Sequence, residues 1–172
     1  MESTPWKLMN STSSKITSLS VLLLAMVLVA AGCATTKIDP KPWNVSVTKK
    51  VPASIEVDLI GSSETEKTVW EGYNIDKYWT PGDPRRASAD KLTESLEMGT
   101  PWKIDSKNPQ WNKWMARGAK YLVIIAHLPG RFEPGPADPR RVVVSLDKRA
   151  WKGKTLEYEV YDAEIRPLTQ AN

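Results

Sequence analysis

Beyond the first forty residues, the stretch 121–128 restricts the fold more than any other. It reads Tyr-Leu-Val-Ile-Ile-Ala-His-Leu and is bounded by Lys120 on one side and Pro129-Gly130 on the other. It is apolar on both faces, and its length suits a strand better than a helix. Such a strand belongs in the middle of a sheet that is covered on each side. A second strand, 141–146, follows after a proline-rich connection and reads Arg-Val-Val-Val-Ser-Leu.

Other segments alternate as half-buried strands do. In 43–48, Trp43, Val45 and Val47 share a face. In 54–60, Ile55, Val57 and Leu59 share a face, and Glu56 and Asp58 fall on the wet side. In 155–161, Leu156, Tyr158 and Val160 oppose Glu157 and Glu159. A weaker strand signal spans 91–98, where Leu92 and Leu96 also fit a helix, and a short piece is expected at 163–165. Residues 64–84 mix charge with Trp70, Tyr73, Ile75, Tyr78 and Trp79. One helical turn is expected at 76–79, stopped by Pro81, with a turn at 81–84. Asn108-Pro109 is a helix start, because Asn caps exposed amides and Pro at the first helical position has no amide to lose. That helix aligns Trp111, Trp114 and Met115 and closes at Gly118. The pattern predicts a mainly β chain: an antiparallel β-sandwich of six to seven strands with one or two short helices. The alternative is an α+β sheet with the Trp111 helix packed on one face.

The amino-terminal segment is built differently. Lys7 and Lys15 precede an apolar run at 21–29, and Ala30-Ala31-Gly32-Cys33 follow. A basic flank, a short apolar core and small residues make the three-part plan of a secretory signal. The core is too short to span a bilayer comfortably, which takes about 20 apolar residues. The small residues and cysteine resemble the lipobox of bacterial lipoprotein precursors, with Ala30 standing where leucine is preferred. The resemblance implies that residues 1–32 are a signal peptide and that Cys33 is the lipidation site, carrying diacylglycerol and, as the new amino terminus, an acyl group such as palmitate. An ordinary signal peptide with a chance cysteine, or a short anchor helix, is the competing reading. Both Met1 and Met9 stand as possible starts. Ala34 follows the cysteine. In enteric-type bacteria an aspartate there resembles an inner-membrane retention signal, so the expected location is the outer membrane, facing the periplasm. Residues 33–42, with Pro40 and Pro42, read as a lipidated cysteine and tether, and 43–172 as a single periplasmic β-rich domain.

Cys33 is the chain's single cysteine, so neither an internal disulfide nor a thiolate metal cluster is expected. His127 is the single histidine and has no evident catalytic partner; a strand-end residue bonded to backbone or water is the simpler reading. No Gly-x-Ser-x-Gly motif or phosphate loop occurs. No catalytic residue, metal site or cofactor is therefore expected, and the chain is read as not an enzyme. The formal charge of +4 is mild and interspersed, and implies no nucleic acid.

Tryptophan is the unusual component. Trp43, Trp111 and Trp114 fit a core. Trp70, Trp79 and Trp102 lie in irregular polar segments and are candidate contact residues, since indoles offer large area at low entropic cost. The second candidate is the long loop 129–140, where the only phenylalanine, Phe132, sits beside Arg131, with Arg140 and Arg141 at its far end. Phe132 either meets a partner or pins the loop to the domain.

The Cys33 signal, the strand 54–60 and the stretch 120–126 followed by a loop together resemble the outer-membrane lipoproteins of type VI secretion systems. Residues 64–84 depart from that group. The resemblance implies a small sandwich similar to transthyretin that binds the periplasmic part of an inner-membrane partner. The resulting expectation is a membrane-anchored, non-catalytic binding or scaffold module of the cell envelope, with an envelope protein as partner. The alternative is a carbohydrate- or peptidoglycan-binding lipoprotein that uses exposed tryptophans.

Overall fold

The computed structural model describes residues 37–172; the signal segment, Cys33 and residues 34–36 lie outside the described residues. Eight strands form two four-stranded sheets. The first sheet holds β1 (Asn44–Lys49), β4 (Trp102–Ile104), β7 (Thr155–Val160) and β8 (Ile165–Pro167), in the order β4-β1-β7-β8. The second holds β2 (Ile55–Ser62), β3 (Lys91–Leu96), β5 (Tyr121–Ala126) and β6 (Arg141–Ser145), in the order β3-β2-β5-β6. Four helices accompany them: α1 (Glu64–Gly72), α2 (Ile75–Trp79), α3 (Pro84–Ser88) and α4 (Pro109–Ala116). The mainly β sandwich expected from the sequence is present, with more strands and helices than expected. One pairing departs from the antiparallel plan. β1 runs parallel to β7, from Asn44 opposite Thr155 to Lys49 opposite Val160. The two strands are far apart in sequence, and a parallel pair needs a long crossover rather than a hairpin.

The main core lies between the sheets. The inward residues Trp43, Val45 and Val47 meet Ile55, Val57, Leu59, Leu122 and Ile124, and Trp111 and Trp114 of α4 join them. The expectation that Trp43, Trp111 and Trp114 are core residues is met. Trp43 Nε1 donates to the Leu146 carbonyl at 3.1 Å, and Trp114 Nε1 to the Asp90 carbonyl at 2.7 Å. Gly61 lets α4 approach β2, since a Cβ there would lie 2.3 Å from Trp114 Cγ. Asn108 accepts from the Gln110 amide at 2.9 Å, and Gly118 takes a φ of 78° after the helix, as the sequence predicts.

β5 is central, between β2 and β6, and its side chains divide between two cores. Leu122, Ile124 and Ala126 enter the main core. Val123 and Ile125 enter a second core with Ile60, Trp70, Ile75 and Tyr78. That second core exists because α1 and α2 cover the outer face of the second sheet. The covering corrects the placement of Asp58 on a wet face, where it is 0% exposed. Its carboxylate accepts from Tyr78 Oη at 2.7 Å, Arg86 Nε at 2.9 Å and Thr93 Oγ1 at 2.5 Å. A buried carboxylate survives only with this degree of pairing. Burial and the bond to Asp58 together hold the Tyr78 phenol far above its ordinary pKa.

Candidate functional site

Some of the sequence candidates lie near one end of the second sheet, where β5 runs out into the long loop. β5 is held there by the His127 amide, which donates to the Glu56 carbonyl at 2.8 Å. The His127 imidazole is exposed and stacks on the Trp79 indole, with centroids 4.7 Å apart and planes 15° apart. The simpler reading of His127, a strand end bonded to backbone or water, thus lacks one feature, its aromatic neighbour. Trp79 ends α2, and its position follows from local chemistry: Asn74 caps α2 by accepting from the Lys77 amide at 3.0 Å, and Ile75 and Tyr78 anchor the helix in the second core. The Arg86 guanidinium lies 4.1 Å from the Trp79 ring centroid and also pairs with Glu56 and Asp58. The Trp79 indole N–H is buried without a hydrogen-bond acceptor among the described residues.

The loop 127–140 forms the other wall. Two arginines at its end tie it to the helical layer. Arg140 is buried and pairs with Asp138 at 2.7 Å and Asp76 at 2.5 Å, and its guanidinium lies 4.6 Å from the Phe132 ring centroid. Burial disfavours the charge on Arg140, but its hydrogen bonds to Asp138 and Asp76 outweigh it and leave its pKa raised. Arg141 donates to the Tyr73 carbonyl at 2.7 Å and to the Gly135 and Pro136 carbonyls at 2.7 and 3.2 Å. Burial lowers its pKa, against the pull of Asp138 and Glu71. These bonds answer an accounting problem, because a proline-rich loop has few amides with which to hold itself. Between loop and helix lies a cleft of about 190 Å³, with Asp76, Trp79, His127, Gly130 and Arg140 among its lining residues.

Of the residues singled out from the sequence, Trp79 and His127 line the cleft, Phe132 lies against Arg140 of its lining, and Arg131 is exposed in the same loop. Phe132 is half-buried and packs against the main core beneath Arg140. Trp70 and Trp102 do not join them. The expectation of an exposed indole fails at Trp70, which is 3% exposed in the second core with the Arg85 guanidinium 4.4 Å from its ring. α1 turns it inward. Trp102 pairs opposite Val47 in the other sheet, on the core side, and packs half-buried against the main core. Pairing of β4 with β1, which the short segment 102–104 did not reveal, puts it there.

Arg86, Asp76 and Asp138 are site residues that sequence reasoning missed. One available signal was the helix starts. Ser63-Glu64-Thr65-Glu66 has capping-box spacing, and Glu66 accepts from the Ser63 amide at 3.2 Å. Asp83-Pro84 opens α3, with Asp83 accepting from the Arg86 amide at 2.8 Å. Those two starts mark α1 and α3, and Arg86 lies on the second of them. Among the described residues, no group of three His, Cys, Asp or Glu side chains is placed to hold a metal.

No protein-family profile matches the chain, and no curated protein matches it in sequence. Solved structures do match. A chain described as the C-terminal domain of the T6SS protein TssM from EAEC superposes with a TM-score of 0.51 at 14% identity, covering 73% of this chain and 99% of that one. A chain of a type VI membrane complex gives 0.51 at 14% identity, covering 76% and 99%. The present chain shares their fold. Lip from Serratia marcescens, described as a membrane-bound component of the type VI secretion system, follows at 0.48 and 12% identity, with coverage of 78% and 100%.

Proposed function

We propose that this protein is a lipid-anchored, non-catalytic binding module of the cell envelope, tethered through Cys33 to the outer membrane on its periplasmic side. We infer that it engages an envelope protein of a secretion assembly through the end of the domain that carries Trp79, His127, Arg131 and Phe132. The observation that supports this reading best is the sandwich fold held in common with a chain of a type VI membrane complex, over 99% of that chain's length. The lipobox-like sequence ending in Cys33 supports the anchor. The cleft end supports the docking role. It combines an exposed arginine, a half-buried phenylalanine and an indole with an unmatched donor, and Arg and aromatic residues are enriched at binding hot spots.

The carbohydrate reading needs open indoles, and no observation favours it. Trp70 is buried, Trp102 faces the core, and Trp79 already stacks with His127 and lies beneath Arg86.

A photo-crosslinking residue placed at position 131 of the full-length protein tests the docking role in intact cells. The expected product is an adduct with an envelope protein that disappears in a Trp79→Ala background. Adducts confined to peptidoglycan, or no adduct at 131 while the protein is correctly localised, would sink the docking role.

A further inference from the structure

At the far end of the domain from the cleft, the turn after β6 concentrates cations. Lys148, Arg149, Lys152 and Lys154 fall within one turn, and all four are exposed. Lys41 lies beside them, its amide donating to the Leu146 carbonyl at 3.1 Å and its ammonium 3.8 Å from the Trp43 ring centroid. The side-chain carboxylates paired with this turn are Asp39, with Lys148 at 2.5 Å, and Asp147, with Arg149 at 3.0 Å. The whole chain has 24 Lys and Arg against 20 Asp and Glu. Setting aside Glu2, Lys7, Lys15 and Lys37 leaves residues 38–172 with an excess of two positive charges. The five cations and two carboxylates named here have an excess of three, so the remainder of that unit is slightly acidic.

The turn is held firmly. The Lys152 amide donates to the Gln170 carbonyl at 3.0 Å, and the Asn172 amide to the Ala150 carbonyl at 3.0 Å. It is also where the chain enters the domain. Pro40 bridges to Asp147, the Asp39 amide donates to Asp147 Oδ2 at 3.3 Å, and the Lys148 amide donates to the Asp39 carbonyl at 3.0 Å. Cys33 is six residues before Asp39, a reach of no more than about 20 Å of extended chain.

From the charge, the entry point and that reach, we propose that the turn 148–154, with Lys41, is a contact surface for anionic phospholipid headgroups. The proposal rests on the lipid anchor at Cys33 proposed above. Its effect is orientation rather than retention, because acyl chains at Cys33 already retain the protein. Basic side chains within a screening length of an anionic surface are drawn to it, and a short tether keeps them within that range. β6 spans five residues between the two ends, about 3.3 Å each. Seating the basic turn on lipid therefore directs the cleft with Trp79 and Arg131 away from the membrane.

The test uses the full, acylated protein reconstituted into vesicles of phosphatidylcholine alone, or with about a third of the lipid as phosphatidylglycerol. Lysines are labelled with an amine-reactive reagent and read by mass spectrometry. Lys152 and Lys154 are expected to be labelled at least about threefold more slowly on the anionic vesicles. The protection should vanish near 1 M salt, where the screening length falls to about 3 Å. The exposed Lys77 and Lys113 should label equally on both. Lys152→Glu with Lys154→Glu should remove the protection of Lys148 while the melting curve stays unchanged. Equal labelling of Lys152 and Lys154 on both vesicles, or protection that is the same with and without phosphatidylglycerol, overturns the proposal. The same digest reports the peptide starting at residue 33, so loss of the lipid-anchor reading would appear separately, as an unacylated cysteine.

Discussion

Phe132 serves two demands at once, and its neighbours separate them. Its ring is half-buried against the main core under Arg140, so truncation removes packing as well as any contact surface. Phe132→Ala is expected to cost roughly 1–2 kcal/mol of stability, a fraction of the 3–5 kcal/mol typical of fully buried phenylalanine. Arg131 is exposed, so Arg131→Ala should change stability by less than about 0.5 kcal/mol. If the loop is a recognition element, Arg131→Ala should still weaken capture of the envelope partner. Denaturant melts paired with a binding assay would check this, and weakening by Phe132→Ala alone, in step with its stability loss, would leave the loop a structural pin. A second residue-scale expectation concerns alkali. Burial and a hydrogen bond to Glu64 push the Tyr121 phenol up to about 12, and burial raises Tyr158 further. An unfolded tyrosine titrates near pH 10. Above that pH the unfolded chain gives up protons that the folded chain keeps, so the contribution of these tyrosines to stability is constant below about pH 10 and falls as pH rises beyond it. Tyr121→Phe should make that alkaline fall shallower, measured as the difference between melts at about pH 9 and pH 11. An unchanged slope would remove Tyr121 as a contributor.

β5 links the two cores, and its alternation gives the clearest element-scale test. Ile124 faces the main core and Ile125 the helical layer, both at 0% exposure. Truncating either to Ala is expected to cost roughly 2–5 kcal/mol, out of a total near 5–15 kcal/mol. Denaturant melts of the two variants check this, and a small loss at Ile125 alone would mean that α1 and α2 cover the sheet loosely. This strand was legible in the sequence because residues apolar on both faces have one natural location. The strands carrying Val45, Val57 and Tyr158 were legible through their period of two. The α4 helix was legible through Asn108-Pro109 and Gly118. What escaped were features that depend on pairing across long separations: the three-residue β4, the parallel register of β1 with β7, and the burial of Asp58. A charge on an alternating strand looks solvent-facing until something is known to lie over it, and the covering helices are short and poor in aliphatic residues. The cleft was half legible for the same reason. Trp79, Arg131 and Phe132 stood out as unusual side chains in irregular segments, but nothing local tells that Trp70 points inward or that Arg140 reaches Asp76.

At the scale of the whole molecule, the proposed anchor predicts that Cys33→Ser leaves an unprocessed precursor. The wild-type amino terminus should be an acylated cysteine in mass spectrometry and should fractionate with the outer membrane, and an unmodified terminus elsewhere in the chain would remove the anchor. The parallel pairing of β1 with β7 has a further consequence, in time rather than in space. A chain delivered amino end first presents β1 early, while β4 and β7, the only strands that flank it, come later and, for β7, nearly at the end. Trp43 waits for a carbonyl 103 residues downstream. β4 can cover one edge of β1 once it emerges, but the other edge stays open until β7, the kind of surface that pairs with whatever strand comes near. The sheet that holds β1 is therefore the last to close. A chain interrupted before residue 155 would retain every strand of the second sheet but leave the β7-facing edge of β1 unpaired.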